Sequence, residues 1–319
     1  MASGACGEPG NSMPPASSVV LPTREGVGPS CISLPARPTG AWPQVIDFLA
    51  DRFPSVSRDE IAARMRRGDV VDERGDLISP ERQYQPHLKL YYYRSIAVEA
   101  RIPFDEIVLF QDDYLVVVDK PHFLPVTPGG RYLQETLLVR LKRKLGIDTL
   151  APMHRIDRET AGLVLFTKQP ATRGTYQNLF SQKMVAKRYQ AIAGFRADLN
   201  FPMTYRSRLV KADHFMRMRE ADGEPNAETE IDVLEVSDQR VRYCLRPATG
   251  KKHQLRVHLA ALGIPIQNDQ IYPHHLSKEE IEQDGYSKPL QLLAEHMSFT
   301  DPLTGQRRHF DSQLRLEAG

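Results

Sequence analysis

His154–Leu165 reads HRIDRETAGLVL. An acid, Asp157, stands between Arg155 and Arg158, and an apolar run follows at once. That run, LVLFT at 163–167, is short and has the composition of a buried strand, so HRIDRETAG is a loop at its mouth. A carboxylate in a basic loop at the end of a buried strand has two explanations. It is a surface salt-bridge partner, or it is a nucleophile or general base whose charge arginine holds.

The elements around this loop set the fold class. YLVVV (114–118) reads as a second buried strand, and the Pro/Gly-rich segment 119–130 as a loop. Leu133, Leu137, Leu141 and Leu145 recur every four residues and predict an amphipathic helix ending at Gly146. Pro170 opens another helix, with Tyr176, Leu179, Phe180 and Met184 on one face. KRYQAIAG (187–194) alternates as a strand. In GKKHQLRVHLAALG (250–263), Leu255, Leu259 and Leu262 share one helical face. Strands and helices mix without regular βαβ alternation. The expected fold is α+β, with an extended, mostly antiparallel mixed sheet and flanking helices.

The expected domains are a flexible tail at 1–38, a small unit at 39–95 and a large one at 96–319. Residues 1–38 are rich in Gly, Pro and Ser. In the small unit, Val45, Leu49 and Phe53 have helical spacing, and Ser57 and Glu60 have capping-box spacing. The second helix carries Arg58, Arg64, Arg66 and Arg67 on its outer face. Short extended pieces follow near Val70–Val71, near Leu77–Ile78 and in LKLYYYR. Two short helices and a hairpin suit an RNA-docking module, or a cap that touches nothing.

Charge is uneven. The net charge is +2, yet residues 131–188 hold 12 Lys/Arg against 4 Asp/Glu, and residues 220–240 hold 8 acids and one base. A basic block around HRIDR points to an anionic partner, nucleic acid first. No apolar run approaches the roughly 20 residues of a membrane helix, and no secretory signal is read at the N-terminus. Cys6, Cys31 and Cys244 form no CxxC pair, which fits a reducing cytoplasm.

Nucleotide-binding fingerprints, HExxH and GxSxG are absent. His253 with His258, and His274 with His275, lack a familiar metal spacing, so no metal is expected. The remaining candidate is Asp157 with arginines. If the fold brings Arg256 beside Asp157, the ion pair keeps a desolvated nucleophilic carboxylate charged.

Five ordered blocks resemble the RluA-type pseudouridine synthases. HRIDRETAGLVLFTK resembles the family's H-R-L-D-x-x-T-S-G-L-L, and KPHFLPVTPGG its K-P-x-G-L-P-V-H-P loop. KRYQAIAG resembles K-x-Y-x-A, and LLAEHMSFTDPLTG resembles L-H-A-x-x-L-x-F-x-H-P-x-T-G. PATGKKHQLRVHLAALGIPIQNDQIY resembles P-x-T-G-R-T-H-Q-I-R-V-H-L-A-x-L-G-H-P-I-x-G-D-x-x-Y. The resemblance spans about residues 105–312, and residues 39–95 resemble a degenerate S4-type RNA-binding unit. Ile156, Ala161, Phe123, Asn268 and Glu295–His296 depart from the family pattern.

A cytoplasmic monomer is expected, and the resemblance implies an enzyme that isomerises a uridine in a ribosomal or transfer RNA stem-loop, with no cofactor and no metal. Its base is flipped out, detached from C1′, rotated and rejoined through C5. Asp157 matches the essential aspartate, Arg256 its arginine partner, and Tyr189 the tyrosine that packs on the base and assists proton removal at C5. Arg155 matches the arginine that enters the space the base leaves. His154, Arg158, Lys120 and Gln254 complete the expected RNA-binding set, with His154 also expected as a structural hydrogen-bonding residue and Lys120, with Pro121, as shaping the floor of the site. The alternatives are an RNA-binding protein of this fold without catalysis, and a metal-independent hydrolase using Asp157. The second lacks a visible second carboxylate or oxyanion motif.

Overall fold

The computed structural model describes residues 21–36, 42–96, 99–214, 216–237, 240–274, 276–277 and 285–317. The chain divides into two units, Met1–Ser95 and Ile96–Gly319.

In the first unit the elements run β1 (Ser30–Ser33), α1 (Val45–Arg52), α2 (Arg58–Arg66), β2 (Val70–Val71) and β3 (Lys89–Tyr92). The sheet order is β1-β3-β2, all antiparallel. Ser57 caps α2 by accepting the Glu60 N–H at 3.2 Å. Three corrections follow. The expected tail contains β1, paired with β3, and its next residue, Leu34, is fully buried in the unit's core. Residues 1–20 and 37–38 of that tail lie outside the described residues. Leu77 makes only a single bridge to Val71, not a strand. The basic face of α2 is largely neutralised: Arg58 pairs with Asp47, Arg64 with Glu60, and Arg67 with Asp69.

The second unit contains β4 (Ile107–Gln111), β5 (Leu115–Lys120), α3 (Leu137–Leu145), β6 (Ala151–Pro152), β7 (Ala161–Thr167), α4 (Pro170–Ser181) and β8 (Ala186–Gly194). Then come β9 (Met203–Lys211), β10 (Met218–Ala221), β11 (Ala227–Ser237), β12 (Arg240–Pro247), α5 (Gln254–Ala261), β13 (Leu292–Thr300) and β14 (Arg307–Asp311). They form one sheet of order β10-β9-β11-β12-β8-β13-β7-β5-β4, with β14 on β13 and β6 on β7. All pairings among the described residues are antiparallel except β13 with β7. The expected α+β fold with a mostly antiparallel mixed sheet is the fold observed.

Every residue of β5 and β7 is buried, because helices cover both faces of the sheet there. The period of two divides them. Val116, Val118, Val164 and Phe166 pack on α3 through Leu137 and Leu141, whereas Leu115, Val117, Leu163 and Leu165 face α4 through Tyr176 and Leu179. Those two strands therefore hold the loop before β7 from a rigid base.

The expected helix from Leu133 starts later. The Glu99 carboxylate accepts the N–H groups of Leu133, Gln134 and Glu135 at 2.7–3.0 Å and holds that stretch in a turn. Thr136 then caps α3, and Gly146 ends it in the left-handed conformation that suits glycine. Met184 lies past the end of α4 and is 55% exposed, because the chain turns at Lys183. α5 is not one-faced: its residues Gln254 to Leu259 are all buried. No helix among the described residues is long and apolar enough to cross a membrane.

Candidate active site

The HRIDRET loop reaches its place through a close backbone contact. Gly162 has φ +108, and a Cβ built on it would lie 2.2 Å from the Ala294 carbonyl oxygen. Ala294 is its register partner across the parallel β7–β13 pair. A glycine is required on both grounds, and it lets β13 approach β7 just behind Asp157.

From the other side, α5 delivers Arg256, which is 1% exposed. Its Nη1 donates to Asp157 Oδ2 at 3.3 Å. Its Nε and Nη2 donate to Asp269 at 2.8 and 2.7 Å, a bidentate fork. Asp269 Oδ1 also accepts the N–H groups of Ile271 and Tyr272, so this carboxylate is fixed. Glu159 lies 3.9 Å from Nη1. Burial alone would pull the Arg256 guanidinium down; Asp269, then Asp157 and Glu159, override it and hold it above its ordinary value.

A cleft of about 920 Å³ opens over Asp157 and Tyr189, and Lys183, Lys187, Lys251 and Lys252 line it. That volume is at the upper end of the range for small-molecule pockets, about 300–1,000 Å³. Tyr189 enters from β8. Burial pushes its phenol up, and the charge of Asp157 adds to the effect. A phenol that keeps its proton beside an aspartate suits stacking and hydrogen-bond donation better than proton abstraction.

Of the other expected residues, Arg155 is exposed in the cleft and makes no ion pair among the described residues. Arg158 also lines the cleft; its Nη1 pairs with Glu159 at 2.9 Å, and its guanidinium lies 5.2 Å from the Tyr132 ring centroid. Three residues of the expected RNA-binding set are engaged within the protein, Lys120 and His154 in the structural roles also expected of them. Lys120 is fully buried, and its Nζ donates to the carbonyls of Pro121, Leu124 and Arg158 at 2.7–3.1 Å. It braces the 119–130 loop against the HRIDRET loop, and burial pulls its pKa down to about 7. Gln254 is 4% exposed, and both ends of its amide are satisfied by Thr249, Lys251, Glu228 and Thr229, so it holds the 249–251 turn. His154 borders the cleft, but its Nε2 accepts the Leu165 N–H at 3.2 Å and its ring stacks on Phe180 at 4.5 Å. Burial, with Lys187 adding to it, lowers its pKa to about 3, so it is neutral and anchors the loop to β7.

Asp269, His253 and Tyr272 are site residues that the linear sequence did not single out. The block QNDQIY contains Asp269 and Tyr272, but the partner of Asp269 lies 13 residues away. Two departures from the family pattern, Phe123 and Asn268, stand at left-handed positions with φ 66 and 63. Glycine is the residue that suits such a backbone without strain. Among the described residues, no group of three or more His, Cys, Asp or Glu is placed to hold a metal ion.

Residues 114–261 match the RNA pseudouridylate synthase family. The chain is 31% identical to the dual-specificity RNA pseudouridine synthase RluA of Haemophilus influenzae, over 65% of this chain and 92% of that protein. It is 32% identical to the mitochondrial tRNA pseudouridine(32) synthase of Saccharomyces cerevisiae, over 52% of this chain and 36% of that one. Among solved structures it resembles human RNA pseudouridylate synthase domain containing 4, with 26% identity and a TM-score of 0.50 over 66% of this chain and 88% of that one. With its sheet and its five ordered sequence blocks, this chain belongs to the RluA-type RNA pseudouridine synthases and is an isomerase acting on uridine in RNA.

Proposed function

We propose that Asp157 is the catalytic carboxylate, acting on a uridine flipped out of a stem-loop of transfer or ribosomal RNA. The observation that carries this is the Asp157–Arg256 pair at 3.3 Å, at the floor of a cleft lined with lysines. The reacting atoms of a stacked base are inaccessible, and extrusion costs a few kcal/mol. The lysines at the cleft offset that cost through phosphate contacts. Tyr189 packs on the extruded base and Arg256 keeps the carboxylate aimed at it. Arg155, exposed and without an ion pair among the described residues, fills the gap left in the stem. The names of the relatives support transfer RNA within the target class. The first unit, read as S4-type, adds RNA affinity and no chemistry.

Asp157→Asn keeps the shape of the side chain and removes its charge. It should abolish release of the C5 proton from labelled uridine in RNA, while RNA affinity stays within about tenfold, or roughly 1.4 kcal/mol. Turnover at the wild-type rate would make Asp157 a salt-bridge partner only.

A further inference from the structure

Asp157 has a second basic neighbour. His253 precedes α5, its side chain is 7% exposed, and its Nε2 lies 3.8 Å from Asp157 Oδ1. Its backbone is left-handed, with φ 56. Among residues with a side chain, Asn, Asp and His enter that region most readily.

The other face of the imidazole fixes where its proton sits. Nδ1 lies 2.9 Å from the Tyr272 phenol oxygen. That oxygen accepts the Met218 N–H at 2.7 Å. The phenol forms no other hydrogen bond among the described residues, so donating its own proton to Nδ1 satisfies it, whereas accepting an Nδ1–H would leave that proton without an acceptor. A neutral imidazole that accepts at Nδ1 carries its proton on Nε2, the atom on the Asp157 side. Tyr272 is itself 4% exposed and meets the His253 ring edge-on at 5.6 Å, so the relay is rigid. Burial lowers the His253 pKa, and Arg256 and Lys252 oppose the upward pull of Asp157, which keeps the ring neutral.

We propose that His253 is a positioning residue for the isomerisation: with RNA in the cleft its Nε2–H closes on Asp157 Oδ1, and Tyr272 selects the tautomer that permits it. This rests on the reading of Asp157 as the catalytic carboxylate. With Arg256 on Oδ2 and His253 on Oδ1, the carboxylate is held at both oxygens and its plane is fixed toward the sugar. The closure needed is about 1 Å, and hydrogen bonds at catalytic groups commonly tighten that way when substrate binds.

The test is ¹⁵N NMR of histidine-labelled full-length protein, beside kinetics. The wild-type His253 ring should be the Nε2-protonated tautomer, and Tyr272→Phe should shift it toward the Nδ1-protonated form. His253→Leu should lower kcat about 10- to 100-fold while KM for RNA changes less than about threefold. His253→Gln, which has an amide N–H near the place of Nε2–H and bears the same backbone strain as the Leu variant, should recover most of that loss. An Nδ1-protonated ring in the wild type overturns the proposal without any variant having to fold. Leu and Gln variants that both turn over at the wild-type rate overturn it as well. Asp157→Asn separates the two claims. If that variant stays active, the catalytic reading of Asp157 fails, whatever the spectrum shows. If it is inactive while His253→Leu is fully active, only the role of His253 fails.

Discussion

Arg256 donates twice to Asp269 and once, at 3.3 Å, to Asp157. The stronger hold is on the residue that does not face the cleft. Asp269 fixes the guanidinium plane, and Arg256 transmits that fixity to Asp157. Lysine cannot make both connections, because a single ammonium lacks the planar fork. Arg256→Lys should therefore lose activity nearly as fully as Arg256→Met. Arg256→Met should also lower unfolding free energy by about 3–5 kcal/mol, since it leaves the fully buried Asp269 unpaired. Urea unfolding beside the C5 proton-release assay separates the effects, and an unchanged midpoint would show that the pair adds nothing to stability.

Gly162→Ala should be among the most destabilising single substitutions in the second unit. The added carbon would meet the Ala294 carbonyl at 2.2 Å, on a backbone with φ +108. Backbone on both sides leaves no flexible side chain to yield. A loss above about 4 kcal/mol, or insoluble protein, is expected. A soluble variant melting within a few degrees of the wild type would mean that β7 and β13 can move apart.

Arg155→Ala should reveal its role through the substrate. Arg155 is an exposed cation in the cleft with no ion pair among the described residues. If it fills the space of the flipped base, its removal should reduce kcat/KM on a stem-loop about tenfold or more, with a smaller effect on unstacked RNA. Equal losses on both substrates would make it a phosphate contact.

Acid should destabilise the fold through buried histidines. His258 is fully buried between Thr229 and Ser207, and burial lowers its pKa from 6.5 to about 4. Between those values the unfolded chain binds the extra proton and the folded chain does not. Stability from this residue is complete above pH 6.5 and falls as pH drops toward 4, by on the order of 3 kcal/mol. His258→Gln keeps hydrogen-bonding groups without titrating, so its unfolding free energy should vary less with pH across that window. His122 and His154, lowered by burial to about 4 and about 3, should leave a residual slope of the same sign. Parallel profiles for wild type and variant would show that His258 does not titrate on unfolding.

Local signals were legible wherever one element carried its own pattern. β5 and β7 were readable from their apolar runs, and α2 from Ser57 and Glu60. Signals failed where a distant residue intervened. Glu99 captures three N–H groups of the 133–135 segment and delays α3. Carboxylates from outside α2 neutralise Arg58 at its start and Arg67 just past its end. The apolar spacing of α5 suggested one buried face, but its polar residues are buried too, because Arg256, Gln254 and His258 each find partners in other segments.

The sequence by itself determined the chemistry available: an aspartate between arginines, a tyrosine in a strand, an arginine in a helix, and five ordered blocks of one family. Those are properties of residue type and order, and they survive without coordinates. Only the tertiary structure decided which of these groups face the cleft and which hold the others in place. Lys120 and Gln254 look like RNA contacts in a linear motif, yet their donors and acceptors are satisfied inside the protein, and His154 spends its Nε2 on the Leu165 N–H. Asp269 and His253 look incidental, yet they flank Arg256 and Asp157. The physical reason is that a buried polar group must find a partner, and the partner is chosen by proximity in space across intervals of 13 to 99 residues, which no local pattern encodes.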